Sequence, residues 1–333
     1  MLLQQALRQG LKVLEVRWQN GYYRAMQDAS TARPSLLKPA HWPVWLLVGF
    51  MWLVARLPLT GLFFVGKAIG LLAYYLARSR RHIAEVNIAK CFPELSDVQR
   101  RQLVRANFRH TGIGAVEIAL PWLNPKRDLS KHYRVEGLEH LRAAQAQERG
   151  VVLVGAHYTT IDVTSQFFGG LEFVDVMYRR NKHPVWEWLQ TRGRRNFFDG
   201  VVERSDMRQI IKRLKAGRAM WYAADQDYGR KHSVFAAFFD IPTATITVSS
   251  RLAERNQSPT LMLHQLRDIA NQTWTLRFSP VLTGFGLGDL ESDAAQLNRI
   301  LEQSVREVPD QYLWVHRRFK TRPDGEDSFY RKG

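Results

Sequence analysis

The chain has 333 residues, which is enough for one large α/β domain with an appendage or for two domains. Its formal net charge of +17 favours partners that carry negative charge, namely nucleic acid, an anionic membrane surface or an acidic protein. The single cysteine, Cys91, excludes an intramolecular disulfide and fits a reducing compartment.

Residues 1–40 are basic and mildly amphipathic, and we interpret them as an N-terminal extension. Pro34 and Pro39 would interrupt any helix that forms here. The segment does not have the pattern of a secretory signal, because no apolar core of roughly 7–15 residues follows a short basic start and no small-residue cleavage site is present.

Residues 41–80 are the most apolar part of the chain and predict one or two membrane-associated helices. Trp42 to Ala55 contains no charged residue, and 61–77 contains one lysine. A spanning helix needs about 20 apolar residues. Three arrangements therefore remain open: a single span, a helix pair lying among the headgroups, and a buried helical hairpin of a soluble protein. The basic cluster at 78–81 favours contact with an anionic cytoplasmic leaflet.

Residues 81–150 predict a helical lead-in to the rest of the domain. A break at 91–96 separates two helices, and Ser96 is expected to cap the second one. A short strand and turn is predicted at 135–138, followed by a helix at 138–148.

From residue 151 onward, short β-branched apolar runs alternate with helical patterns. The predicted strands are 151–156, 173–178, 200–203, 218–224, 260–266 and 274–282. The predicted helices are 160–169, 184–196, 206–216, 243–256 and 290–307. This alternation is typical of βαβ units, so the predicted fold class is α/β, with a mainly parallel sheet flanked by helices. We interpret 81–333 as one α/β domain.

A histidine leaves the first of these strands, at the edge where open α/β sheets place their chemistry. We predict that His157 is a general base and that Asp162, five positions later, orients it. The spacing of His157 and Asp162 alone carries little information. The position of His157 directly after a buried strand is what supports a catalytic role. The chain has no G-x-S-x-G sequence, so a serine nucleophile on a strand-to-helix turn is not predicted.

Two more groups of polar residues end strands at the same expected edge. Arg179 is a catalytic candidate that could bind a phosphate or stabilise an oxyanion, and the alternative is a solvated basic loop. The carboxylates at 225–227 could pair with Arg179 or bind sugar hydroxyls, and the alternative is a turn with an Asx cap. No histidine joins them at ligand spacing, so no metal site is predicted. The predicted substrate-binding residues are Asn181, Asp225, Gln226, Asp227, Tyr228, His316, Arg317 and Arg318.

Longer strings around these residues carry a family resemblance. They are Arg81–Asn87, Cys91–Pro93, Gly150–His157, Tyr178–Asn181, Trp188–Gln190, Trp221–Gly229 and Gln311–Pro323. From about residue 38 the chain resembles the bacterial lipid A late acyltransferases, the lauroyl/myristoyl class, and 157–162 resembles the H-x4-D/E block of glycerolipid-type acyltransferases. Two features depart from the commonest pattern: Asp162 stands where many members have Glu, and 1–37 looks like an added extension.

The resemblance implies transfer of a fatty acyl chain from an acyl-carrier-protein thioester to the hydroxyl of a 3-hydroxyacyl chain on a lipid A precursor. It implies a bacterial inner membrane location with the active site facing the cytoplasm, and no cofactor. Acylation of another glycolipid or a lysophospholipid is the alternative. A non-catalytic basic protein that binds membrane or nucleic acid is a remote alternative, and no nucleic-acid-binding signature supports it.

Overall fold

The computed structural model describes residues 34–171 and 173–330, so most of the predicted extension at 1–40 lies outside the described residues. The helices are α1 (Trp42–Val54), α2 (Leu59–Leu76), α3 (Arg78–Cys91), α4 (Asp97–Glu117), α5 (Ala119–Leu123), α6 (Leu138–Gln145), α7 (Pro184–Arg195), α8 (Met207–Lys215), α9 (Val248–Asn256) and α10 (Leu290–Glu307). The strands are β1 (Tyr133–Glu136), β2 (Val151–Gly155), β3 (Val174–Tyr178), β4 (Gly200–Glu203), β5 (Ala219–Ala223), β6 (Ser233–Phe238), β7 (Ile241–Ile246), β8 (Thr260–Asp268) and β9 (Thr273–Phe278).

Short 3-10 helices complete the described secondary structure. They are Pro34–Leu37, Pro39–His41, Ser130–His132, Val163–Gly170 and Arg230–His232.

Seven strands form one sheet in the order β1-β9-β8-β2-β5-β3-β4. The run from β8 to β4 is parallel, β9 pairs antiparallel with β8, and β1 pairs parallel with β9. Strand β2 lies inside the sheet and is buried throughout. A strand covered on both faces has no polar side, which explains the continuous apolar run in the sequence. The α/β class with a mainly parallel sheet flanked by helices is confirmed.

The hairpin β6–β7 is the largest departure from the predicted elements. Phe239 and Asp240 join its two strands, with φ angles of 53° and 58°. Two left-handed residues match the twist of a tight hairpin. The turn contains neither Gly nor Asn, so its usual sequence signal is missing. The helix predicted for 243–256 was wrong in its first part, because it begins at Val248.

Helices α2 and α4 pack with their backbones almost in contact. A Cβ added to Gly112 of α4 would lie 2.2 Å from the carbonyl oxygen of Gly66 and 2.3 Å from the amide nitrogen of Gly70. Gly70 in turn approaches the backbone of Phe108 and Arg109. Helix α2 is therefore fixed to α4 by contacts that accept no side chain.

The opposite face of α2 is exposed and apolar, with Phe64, Leu72 and Leu76 all exposed. Among the described residues, α2 is the one helix that is long and apolar enough to cross a membrane, by length and composition. The shorter helix α1 packs on α5 and α7, where Val48 joins Trp122 in a small apolar cluster.

The α2–α4 contact predicts a sharp response to one added methyl group. Gly112→Ala should destabilise the protein by about 1–3 kcal/mol, because the methyl group would meet backbone atoms that have no room to move. Thermal unfolding of the purified variant in detergent should show a lower Tm. Gly49→Ala in α1 is the matched control, since nothing lies within 4 Å of its added Cβ. An unchanged Tm for Gly112→Ala would contradict the close contact.

Candidate functional site

The site is built at the carboxyl edge of two adjacent parallel strands. In the β2–β5 register Gly155 lies opposite Ala223, and His157 and Asp225 each follow two residues later. Because both residues lie two positions beyond a pair of facing strand residues, their side chains meet at the same edge of the sheet. The His157 Nδ1 atom lies 2.6 Å from Asp225 Oδ1, and the backbone amide of His157 donates to the same oxygen at 3.0 Å.

Charge fixes the direction of the His157–Asp225 hydrogen bond. Burial alone would raise the pKa of Asp225, but the charge and hydrogen bonds of His157 lower it below the ordinary value. An ionised carboxylate can only accept, so Nδ1 carries a proton, and in the neutral ring Nε2 keeps its lone pair. Burial lowers the pKa of His157, while the charge and hydrogen bond of Asp225 outweigh burial and raise it.

Asp162 does not occupy the place predicted for it. Its Oδ1 accepts a hydrogen bond at 3.0 Å from Arg194 of α7, and the partner of His157 is Asp225. Residues 159–162 form turns before the 3-10 helix Val163–Gly170, so the α-helical geometry expected between His157 and Asp162 is not formed. Asp162 still raises the pKa of His157 through its charge, and Arg194 lowers it.

Arg194 is a site residue that sequence reasoning missed. It sits among arginines at 192, 194 and 195 on a helix, and nothing in that spacing separates it from a solvated helix face. Its side chain is 17% exposed in the ion pair with Asp162. A half-buried cation held this close to the histidine can stabilise developing negative charge.

The chain returns at its C-terminal end to hold the segment that carries the histidine. We call residues 310–316 the strap. The amide of Leu313 donates to the carbonyl of His157 at 3.0 Å, and the amide of Thr159 donates to the carbonyl of Gln311 at 2.8 Å. The Asn87 side chain donates to two strap carbonyls, and the Asn107 side chain donates to two others. The strap therefore fixes the backbone on both sides of the candidate base.

Two predicted residues lie at the carboxyl end of β3. Arg179 is exposed, and its carbonyl accepts a hydrogen bond from Gln190 Nε2 at 3.2 Å. Asn181 is exposed too, and its Oδ1 accepts from the amide of His183, one residue before α7 begins. The described contacts of Asn181 therefore organise the turn into α7.

The group after β5 divides into different roles. Asp227 is buried, and its carboxylate accepts from the backbone and hydroxyl of Thr321 at 2.6 and 2.8 Å and from the amide of Gly229 at 2.9 Å. These bonds tie the chain near its end to the sheet. Gln226 is half-buried, and the exposed Tyr228 ring lies 5.0 Å from the Arg204 guanidinium. Asp225 is the member of this group that reaches His157.

The predicted residues His316, Arg317 and Arg318, at and just beyond the end of the strap, do not share one environment. His316 is half-buried, and burial lowers its pKa while the charge of Asp225 raises it. Arg317 is exposed. Arg318 is 2% exposed, and its guanidinium donates to the carbonyl of Ala244 at 2.8 Å and to Asn298 Oδ1 at 3.3 Å. The structure therefore places Arg318 inside the fold, where it cannot meet a headgroup.

A buried ion pair behind the site was also missed. Arg267 of β8 donates through Nε and Nη2 to the two oxygens of Glu117 at 2.7 and 2.6 Å. The Trp274 indole and the Thr160 hydroxyl donate to the same carboxylate at 3.1 and 3.2 Å. Single charged residues inside a helix and a strand give no sequence signal of such a pairing.

Cys91 is buried, and burial raises the pKa of its thiol. A thiol held protonated in an apolar setting is a poor nucleophile. Within 34–171 and 173–330, no three His, Cys, Asp or Glu side chains form a cluster that could hold a metal ion.

Comparison with known proteins identifies the family of the chain. The family model described as bacterial lipid A biosynthesis acyltransferase matches residues 30–321. The lipid A biosynthesis lauroyltransferase of Escherichia coli (strain K12) is 37% identical over 297 residues, covering 89% of this chain and 97% of the relative. The palmitoleoyltransferase of the same strain is 36% identical, covering 88% and 96%. The myristoyltransferase is 25% identical, covering 90% and 93%. The chain therefore belongs to the bacterial lipid A biosynthesis acyltransferase family and is an acyltransferase.

Proposed function

We propose that this protein transfers a fatty acyl chain from an acyl-carrier-protein thioester to a hydroxyl of a 3-hydroxyacyl chain on a lipid A precursor. The observation that carries the chemistry is the hydrogen bond of 2.6 Å between His157 Nδ1 and Asp225 Oδ1. It leaves Nε2 as a base at the edge of the sheet. Among the described residues, no serine, threonine or cysteine side chain bonds to the His157 ring, which favours direct transfer over an acyl-enzyme.

The reaction needs one proton to leave the acceptor hydroxyl and one to reach the departing thiolate. His157 Nε2 takes the hydroxyl proton as the acceptor oxygen attacks the thioester carbonyl carbon. The new C–O bond gives a tetrahedral oxyanion, the C–S bond then breaks, and the imidazolium returns the proton to the carrier thiolate. Asp225 stabilises the imidazolium and fixes the ring so that Nε2 faces the substrate.

The Asp162–Arg194 pair supplies the charge beside this base. Asp162 holds the Arg194 guanidinium at 3.0 Å, with its remaining N–H groups available to an oxyanion or a lipid phosphate. Arg179 is exposed at the next strand end and is suited to a phosphate farther out. In this assignment Asp162 positions Arg194, and Asp225 takes the role first predicted for Asp162.

The proposed location is the bacterial inner membrane, with the site facing the cytoplasm where an acyl carrier protein can reach it. The net charge of +17 suits both an acidic carrier protein and an anionic leaflet. Three relatives named for lauroyl, palmitoleoyl and myristoyl transfer point to a lipid A acceptor.

Loss of the base tests the mechanism. His157→Ala should lower the rate of acyl transfer about 10²- to 10⁴-fold, the usual contribution of a general base. The assay is incubation of purified protein with acyl carrier protein thioester and lipid A precursor, read by product mass. His140→Ala on the distant helix α6 is the control and should keep the wild-type rate. A rate near wild type for His157→Ala would rule out the mechanism.

The pH dependence identifies the partner of the base. Only neutral His157 can accept a proton, so kcat/KM should rise with pH through its pKa, which the structure places above the ordinary 6.5. Asp225→Asn removes the charge and hydrogen bond that raise this pKa. It should therefore move the rising limb to lower pH and lower the plateau.

Asp162→Asn is the matched comparison for that pH profile. It should move the rising limb less, because the charge of Asp162 acts more weakly on His157 than that of Asp225. A larger displacement for Asp162→Asn would show that Asp162 is the working partner of the base, as the H-x4-D spacing suggested.

The identity of the acyl donor and of the acyl acceptor is tested by replacing each substrate in turn. Acyl carrier protein thioesters should be used in preference to the corresponding coenzyme A thioesters, and the product should gain one acyl group on a lipid A precursor. Transfer to lysophospholipid with no transfer to the lipid A precursor would replace the proposed acceptor. Equal use of coenzyme A thioesters would remove the carrier protein from the proposal.

A further inference from the structure

We propose that α1 and α2 lie in the plane of an anionic phospholipid surface and do not cross the bilayer. This deepens the membrane location proposed above and rests on it. It decides between the single span and the in-plane helix pair that the sequence left open. The two helices expose apolar side chains, their other faces are fixed to the rest of the fold, and cations lie near the middle of α2.

Helices α1 and α2 expose a broad apolar surface, which we call the anchor face. It consists of Trp42, Leu46, Leu47, Phe50, Leu53, Phe64, Leu72, Tyr75 and Leu76, each between 44% and 77% exposed. On α2 the members are spaced by 8, 11 and 12 residues from Phe64, which places them on one side of the helix. An apolar surface of this size is not left open to water in a soluble protein.

The buried side of α2 cannot separate from α4. Gly66 and Gly70 lie against Gly112 and Arg109 through backbone contacts under 3 Å from an added Cβ. Any placement of α2 in a membrane therefore carries α4 to the same depth. Helix α4 is not apolar on its outer side, because Arg101, Arg105 and Arg109 recur there every four residues and are exposed.

The position of these cations along α2 excludes a spanning arrangement. Arg109 lies beside Gly70, and Lys67 is exposed on α2 itself. Both positions are within about 4 Å of the middle of this 18-residue helix, at a rise of about 1.5 Å per residue. If α2 spanned the bilayer, both charges would lie near its midplane, which is the costliest depth for a cation.

Helix α1 is also unsuited to spanning the bilayer. Its 13 residues extend about 20 Å, which is shorter than a hydrocarbon core of about 30 Å. It is also attached to α7 through Trp45 and Trp188, whose rings lie 5.9 Å apart. The Arg192 guanidinium stands 5.0 Å from the Trp188 ring, so insertion of α1 would draw another cation inward.

The charges around the anchor face identify its occupant as an anionic lipid surface. Arg56 follows α1 with its guanidinium 3.4 Å from the exposed Trp52 ring, and Arg78 and Arg80 are exposed just beyond α2. Aromatic rings beside arginines suit the headgroup layer. A second copy of the chain would instead bring one basic rim against another.

Cysteine labelling in membranes tests the arrangement directly. Thr60→Cys in the first turn of α2 and Ser79→Cys, three residues beyond the end of α2, place single exposed thiols in the full chain, and the native Cys91 is buried. With a membrane-impermeant maleimide, both thiols should react in inside-out vesicles and neither in intact spheroplasts. Labelling of one thiol from each side would show that α2 spans and would overturn the proposal.

Vesicle binding tests the occupant. Leu72→Glu should weaken flotation of the purified protein with vesicles of phosphatidylglycerol and phosphatidylethanolamine about tenfold or more. Leu287→Glu is the control, since Leu287 is 80% exposed and far along the chain, and it should bind like wild type. Circular dichroism confirms that both variants are folded. Equal binding of both variants, or a dimer in solution that Leu72→Glu dissociates, would overturn the proposal.

The same assays separate this inference from the catalytic proposal. His157→Ala should show the wild-type labelling pattern and the wild-type vesicle binding, because neither readout depends on acyl transfer. If no acyl donor supports transfer while both thiols still react only in inside-out vesicles, the proposed reaction would be wrong. The in-plane placement of α1 and α2 would still stand.

Discussion

The buried ion pair between Glu117 and Arg267 is the interaction on which the candidate site and the apolar helices α1 and α2 jointly depend. Glu117 ends α4, Arg267 lies near the end of β8, and the hydroxyl of Thr160 joins them three residues after His157. Four donors satisfy the carboxylate, so the cost of removing these charges from water is offset. Loss of one partner would leave a bare charge inside the protein, at a cost of about 3–5 kcal/mol. Because α4 also packs on α2, this pair links the segment that carries His157 to the helices that form the anchor face.

The sheet explains why the base takes its carboxylate from another strand. Residues at equal offsets beyond two paired parallel strands meet at the sheet edge, as His157 and Asp225 do. A neighbour in sequence reaches the same place only if the intervening backbone is an α-helix, and it is not one here. The strap then fixes the backbone of His157 from the other side through Leu313. The His157 segment is thus held by segments distant in sequence, an arrangement that suits the preorganised ring of the proposed mechanism.

The sequence patterns predicted the sheet well because its central strands are buried on both faces and are therefore apolar without interruption. They also predicted that His157, Arg179 and Asp225 follow strands, since strand ends are local features. They could not predict that Arg194 pairs with Asp162, because that depends on how α7 packs. They also missed the β6–β7 hairpin, whose turn uses Phe239 and Asp240 in a conformation that favours Gly or Asn. Local composition indicates where helices and strands form, but long-range packing determines which charged side chains meet at the candidate site.

The positively charged residues divide into a buried group and an exposed group, and the two groups have different contacts. Arg267 and Arg318 are buried among acceptors, and Arg213 and Arg218 bind the buried carboxylate of Asp175. The described ion pairs and hydrogen bonds of these cations are internal to the fold. The arginines next to α1 and α2 are instead exposed, close in sequence to an exposed apolar surface. A cation near exposed aromatic and aliphatic side chains matches a headgroup above hydrocarbon, a combination that nucleic acid does not offer.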